Sequence, residues 1–498
     1  MHKNDIKRKS KGLKMGRMLL TASVSLAVIG TFSVPAFAVS NDEIMKELRR
    51  LQQRVQKVES KLSITEKQLV DTKKELVETQ HDLIDAQTDT QKTNLKFSKT
   101  TGMPELVSDD GSSSMKLSGR IQLDVASLPD QYKNGREKDD NFFSSRTESE
   151  VRRARLGIEG VFHSDWEYEL ELDFAENEVD LKKAQITYGG IKNNDFTAGY
   201  QRVAFGLENT ASSRYTIFME RGLTDTFSPD RNLGIAWRYT GWDWGQFKVG
   251  AYIPNSIDTI TETDNGSDDD THRADAYNYI GRITIAPVNL SDQVLHFGAS
   301  AAYTNYSNVD SDNGIRYRAR PESHLSQRLV STEKIYDPDN TQQYALEAAY
   351  SGHAFLVQSE YVKTSTKGYY DDEDLTGDDD TYDYDSWYVS AAYMLTGESH
   401  AYRSKGGTFG NVMPDRPISK GGWGAWEIAG RYSTIDLNDN GEYGGEMDSI
   451  TLGLNWYLEN NLKVMFNYVN YDADNYGDDS KYKDQDDNIF QTRLQWFF

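Results

Sequence analysis

The chain has 498 residues, no cysteine, and 78 acidic against 55 basic side chains, a formal charge of −23. A balance this acidic excludes nucleic acid as a partner, and the missing cysteines exclude a disulfide framework.

Residues 1–38 have the three parts of a secretory signal peptide. Lys3, Lys7, Arg8, Lys9, Lys11, Lys14 and Arg17 make a basic start, Leu19 to Phe32 an apolar middle, and Ala36-Phe37-Ala38 a small-residue cleavage site. The apolar stretch is shorter than the roughly 20 residues of a membrane helix, so cleavage fits better than anchoring. No later segment holds ~18 consecutive apolar residues. An exported chain of this kind enters a membrane as strands.

From 39 to 97 the period is helical. Ile44, Leu48, Leu51, Val55, Val58 and Leu62 alternate four and three apart, and Leu69, Leu76 and Leu83 continue one seam while Thr65, Thr72 and Thr79 fill the other. A sustained heptad predicts a coiled coil of more than one chain. The mixed seam leaves its strand number open, and a single amphipathic helix is the alternative. Residues 98–114, with Gly, Pro and Ser, read as a linker.

Beyond residue 115 the period becomes two. In Trp166-Glu167-Tyr168-Glu169-Leu170-Glu171-Leu172-Asp173-Phe174 every even position is apolar and every odd one a carboxylate, so one face suits hydrocarbon and the other water. Sixteen such segments are expected, near 115–127, 149–162, 165–175, 181–190, 195–201, 232–241, 244–253 and 276–286, then 293–305, 342–351, 353–364, 384–397, 423–437, 446–458, 461–472 and 487–498. Their length, the Trp and Tyr near their ends, and the closing strand with terminal Phe498 predict an all-β transmembrane barrel of antiparallel strands spanning 115–498. Sixteen strands leave room for an aqueous channel. Connectors alternate short and long, the long ones (128–148, 202–231, 254–275, 306–341, 365–383, 473–486) being acidic and extracellular by parity. Residues 398–422 break the rule, being long on the periplasmic side.

Several motifs resemble the phosphate-selective porin O/P family. They are Arg152-Arg153-Ala154-Arg155-Leu156-Gly157, the Trp166–Phe174 strand, Phe205-Gly206-Leu207-Glu208 leading to Ser212-Ser213-Arg214, Phe218-Met219-Glu220-Arg221, Arg231-Asn232-Leu233-Gly234, and Gly422-Trp423-Gly424-Ala425-Trp426-Glu427. The resemblance implies a homotrimer of sixteen-stranded barrels in the outer membrane, narrowed by loops folded into the lumen and passing anions by diffusion. It also implies that the turn at 398–422 tucks into the pore.

Arg316, Arg318 and Arg320 alternate in the connector 306–341, so an extended backbone would align three guanidiniums about 7 Å apart. Each fork can grip two anion oxygens, an arrangement that resembles the arginine ladder of the family. An exposed extracellular basic run is the plainer reading. The connector 202–231, the constriction loop of the family, carries Arg202, Arg214, Arg221 and Arg231 against Glu208, Glu220, Asp225 and Asp230. Arg214 occupies the basic position of the family's Ser-Ser-basic motif. On the wall, Arg153 and Arg155 share the parity of Glu159. A hairpin turning at 163–165 without a bulge sets Arg155 against Asp173 and Glu159 against Glu169. The neighbouring stripe Glu167, Glu169, Glu171 and Asp173 raises the alternative of a cation-tolerant pore.

Asp436-Leu437-Asn438-Asp439-Asn440-Gly441 starts like a calcium loop, but Met447 stands where the closing Glu belongs. The other Asp-rich runs suit solvated loops beside lipopolysaccharide. Neither a cofactor motif nor a catalytic one emerges, and the eight histidines show no metal spacing. Two functions therefore stand: a porin for small anions such as phosphate, with the coil as a periplasmic stalk, or a nonspecific hole whose coil tethers the outer membrane to peptidoglycan.

Overall fold

The computed structural model describes residues 41–90, 94–98, 102–129, 145–254, 275–307, 314–369, 380–474 and 485–498. The expected signal peptide and the Asp-rich runs 268–270 and 371–374 lie outside the described residues.

One unit is the helix α1 (Asn41–Thr90). Its seam residues are solvent-facing, with Leu51, Val58, Leu62 and Leu69 at 55, 64, 59 and 70% exposure. The seam threonines are satisfied within the helix: Thr65 donates to the carbonyl of Lys61 at 2.9 Å and Thr79 to that of Glu75 at 2.8 Å. Back-bonding of this kind lets a hydroxyl sit in a helix interior without an outside partner.

The other unit is a closed antiparallel barrel of sixteen long strands. They are β1 (Ser114–Pro129), β2 (Ser145–Phe162), β3 (Trp166–Asp173), β4 (Asp180–Ile191), β5 (Asn194–Arg202), β6 (Arg231–Trp242), β7 (Gly245–Ile253) and β8 (Asp275–Asn289). Then come β9 (Gln293–Ser307), β10 (Ile335–Gly352), β11 (Phe355–Tyr369), β12 (Asp380–Met394), β13 (Ala425–Asp439), β14 (Glu442–Glu459), β15 (Leu462–Asp474) and β16 (Gln485–Phe497). Each expected segment is a strand. The ring closes where β16 pairs with β1, from Phe490↔Ser127 to Phe497↔Arg120. Phe498 exchanges backbone hydrogen bonds with Gly119 (2.9 and 3.1 Å). A Cβ at residue 119 would collide with the Phe498 ring, so the closure needs glycine there.

Two corrections concern the junction before the barrel. The helix stops at Thr90 rather than 97, because Asn94–Phe97 alternates polar and apolar residues and forms a strand. The expected linker 98–114 is not all loop either. Pro104–Val107 pairs with Asn94–Phe97 on one side and with the start of β1 on the other. A turn at Gly102 (φ 71°) joins the two short strands, a left-handed conformation that glycine adopts without strain.

Alternation sorts the side chains. Leu123, Val125, Leu346, Leu452 and Phe490 face outward, while Gln122, Thr364, Asn455, Arg493 and Gln495 are buried inside. Aromatic pairs gather at the short-turn end, among them Trp166–Tyr188 (4.8 Å), Trp242–Trp244 (5.1 Å) and Trp426–Trp456 (5.0 Å). Rings at that level match a membrane–water interface. The barrel is not empty: the connectors 203–230 and 314–334 fold inward, and their Phe205, Leu223, Phe227, Tyr317 and Leu329 build an apolar core with wall residues such as Ile280 and Val469.

Candidate functional site

The connector 203–230 lies against one half of the wall because its carbonyls find donors there. Ser213 O accepts from Gln122 (3.2 Å), Arg214 O from Gln495 (2.9 Å), Thr216 O from Lys463 (2.9 Å) and Ile217 O from Asn455 (2.8 Å). Unsatisfied buried carbonyls are costly, so these bonds fix the path of the loop. Two carboxylates clamp it. Glu360 accepts from the backbone N–H groups of Leu207 (2.5 Å) and Glu208 (3.0 Å). Glu220 takes Arg152 at 3.0 Å and Arg493 at 2.7 Å. Burial alone would push the Glu220 carboxyl up, but Arg152, Arg493 and Arg153 hold it well below the usual range.

The turn 398–422 enters from the opposite end, as the family resemblance implied. Arg282 donates to the carbonyls of Gly406 (2.9 Å) and Gly407 (2.8 Å), His296 meets the Tyr402 hydroxyl at 2.8 Å, and His400 meets Glu427 at 2.5 Å. Its Arg403 lies over the ring of Tyr215, 4.4 Å from the centroid. Loop and turn therefore meet inside the barrel.

Between them and strands β1–β8 lie cavities, two of which are lined by cations. The one nearer the long-loop end, about 290 Å³, is lined by Arg152, Arg153, Arg155, Lys182, Arg202, Arg221 and Arg231 with Glu220, Asp225 and Asp230. Nearer the short-turn end, a cavity of about 360 Å³ is lined by Arg120, Lys183, Arg202, Arg231, Arg238 and Lys248, together with Arg282, Arg403 and Lys405. Among the described residues no carboxylate lines it. Arg202, Arg231 and Ser213 belong to both, so the cavities are consecutive.

Pairing grades these cations. Arg120 meets Glu171 at 3.0 Å, Lys183 meets Glu169 at 2.5 Å, Arg238 meets Asp195 at 2.6 Å and Arg282 meets Glu347 at 2.7 Å. Among the described residues Lys248, Arg403 and Lys405 have no carboxylate partner; Lys248 donates to Gln201 at 3.1 Å. The Nε groups of Arg120 and Arg231 are buried without an acceptor.

The expected site residues divide into three groups. Arg153 and Arg155 line the upper cavity. Arg153 donates to Gln122 (2.8 Å), whereas Arg155 is held by Asp173 (2.6 Å) and Glu171 (3.2 Å). The register is the expected one, Arg155↔Asp173 and Glu159↔Glu169. Arg214 pairs with Glu171 at 3.6 Å and lines neither cavity. Arg316, Arg318 and Arg320 share one half-exposed face, with Ile315, Tyr317 and Ala319 buried on the other. Arg316 lies 3.7 Å from Glu333. Arg320 sits among Arg328, Arg152, Glu150 and Glu220, its pKa lowered by burial and by the two guanidiniums. The run thus leads toward Arg152, at the top of the upper cavity.

Arg120, Lys183, Arg238, Lys248, Arg282, Arg403 and Lys405 were not singled out by motif. The strand members had a signal nonetheless, being cations at inward parity between outward residues, as Lys248 between Phe247 and Val249. The acidic stripe is largely neutralised, since Glu169, Glu171 and Asp173 all carry basic partners.

The family model of the phosphate-selective porin O and P proteins matches residues 115–498. Porin O of Pseudomonas aeruginosa is 27% identical over 449 residues, 80% of this chain and 92% of its own. An uncharacterized protein of Caulobacter vibrioides is 32% identical over 372 residues, 74% of this chain and 70% of its own. Among solved structures, the anion-selective porin from Comamonas acidovorans superposes with a TM-score of 0.47 at 12% identity, covering 78% of this chain and all of that one.

Proposed function

The chain belongs to the phosphate-selective porin O and P family, and from that premise we propose that it forms an outer-membrane diffusion pore for small anions, with phosphate preferred. The observation that carries this reading is the cavity of about 360 Å³ lined by cations, with no carboxylate among the described residues that line it. Low-dielectric walls focus that field on whatever passes.

An anion entering from the extracellular side meets Arg316, Arg318 and Arg320, then the Arg152–Arg153 pair. It continues past Arg202 and Arg231 to Lys248, Arg403 and Lys405. Arg120 and Arg231 line the lower cavity, where a planar or tetrahedral oxyanion can accept hydrogen bonds from guanidinium N–H groups. Partial pairing of most of these cations keeps each well shallow, and conduction requires that an ion be able to leave. Phosphate offers more acceptor oxygens than chloride, so the guanidinium forks retain it longer.

The working unit in this reading is a homotrimer. The α1 seam, exposed in a single chain, is covered when three copies wind together as a periplasmic stalk roughly 75 Å long. In planar bilayers, phosphate added to a chloride solution reduces single-channel chloride current in a saturable way. Chloride current indifferent to phosphate contradicts the preference.

A further inference from the structure

We propose that Glu150, Glu176 and His324 form a binding site for a zinc-like divalent cation at the extracellular end of the pore. They come from three separate segments: Glu150 from β2, Glu176 from the turn after β3, and His324 from the inserted connector 314–334. One ligand atom of each lies within 4.8 Å of the others. The His324 Nδ1 already stands 2.8 and 3.1 Å from the two Glu150 oxygens. His324 and Glu150 are partly buried, so their positions are set by packing, while Glu176 is exposed and free to swing inward.

The donor set decides the ion. Bonds of about 2.0–2.1 Å in a tetrahedral site put ligand atoms roughly 3.3 Å apart, so the His324–Glu150 pair needs little change and Glu176 moves in by at most about 1.5 Å. One imidazole and two carboxylates suit Zn²⁺ or a similar borderline metal, with water as fourth ligand. Mg²⁺ and Ca²⁺ ask for six or more oxygens, which this trio does not supply. Arg320, which feels the Glu150 charge, and its neighbours Arg152 and Arg328 oppose a cation here and moderate the affinity. Occupancy links His324, on the connector carrying Arg316, Arg318 and Arg320, to Glu176 as well as to Glu150.

The test is a calorimetric titration of the folded full-length protein in detergent with Zn²⁺, in excess Mg²⁺ to occupy the acidic outer loops. One Zn²⁺ binds per chain, and His324→Ala and Glu176→Gln each weaken it by about tenfold or more. The exposed turn position of Glu176 makes the second variant independent of folding defects in the first. Zn²⁺ also changes single-channel conductance in the unmodified pore and not in His324→Ala. No Zn²⁺ binding by the unmodified protein, or binding unaltered in both variants, overturns the site. The calorimetric result does not depend on which ions the pore conducts, so it stands or falls apart from the anion reading.

Discussion

The two halves of the barrel wall use the same residue types to opposite ends. Along β10–β16, charges are consumed as anchors: Arg431 holds Glu322 at 2.5 Å, and Arg493 holds Asp124 and Glu220 at 2.6 and 2.7 Å. Along β1–β8, cations such as Arg153 and Lys248 face open cavity. Both halves contain buried arginines, so a count of charges does not separate them. Their pairing does, and it explains how a strongly acidic chain can carry a basic constriction: surface carboxylates farther than a Debye length, about 10 Å at ordinary ionic strength, contribute little.

Removing an anchor has the largest effect. Arg493→Met leaves buried Asp124 without its partner and Glu220 with Arg152 alone, at a cost of about 3–5 kcal/mol. The connector 203–230 loses one of its holds, and single-channel conductance rises and becomes noisy in bilayer recordings. On the other half, Lys248→Glu with Arg403→Glu leaves thermal stability nearly unchanged yet removes most of the anion preference. Smaller again, the triple change Arg316→Ala, Arg318→Ala and Arg320→Ala weakens phosphate block a few-fold while leaving chloride selectivity in place, because the narrow cavities are untouched. In α1, Leu51→Asp with Leu62→Asp lowers the fraction of trimer seen by size-exclusion light scattering and leaves single-pore conductance as it was. The pH response is smallest. Glu220 has its carboxyl depressed below the ordinary value of 4.5, so its ion pairs are fully present above that value. They are lost when pH falls through the lower folded value, and conductance stays level between about pH 7 and 5.

Much of this was legible in the sequence because a barrel strand writes its environment with period two. The sixteen strands, the Arg155–Asp173 register and the closure at Phe498 all follow from that rule. Where the period fails, so did the reading. Arg152 and Lys182 are extra residues in β-bulges, beside Gln122/Leu123 and Glu171/Leu172. Each bulge turns an adjacent basic pair, Arg152-Arg153 and Lys182-Lys183, toward the lumen, and that doubling is the trace a bulge leaves in sequence. The cations of the lower cavity were harder to see, since they are spread over β1, the strands β4–β8 and the turn 398–422, and only the folded barrel brings them together. Arg214, prominent by motif, is turned onto Glu171, a contact that depends on where the loop lands.

The proposed anion selectivity rests on unpaired cations between the inserted loop and β1–β8. The most direct measurement is the zero-current potential across a bilayer holding this protein in a KCl gradient, compared with Lys248→Glu/Arg403→Glu. The expected potential has the sign set by chloride and collapses toward zero or reverses in the double variant. A potential set by potassium in the unmodified protein, or a chloride potential that the double variant leaves intact, contradicts it.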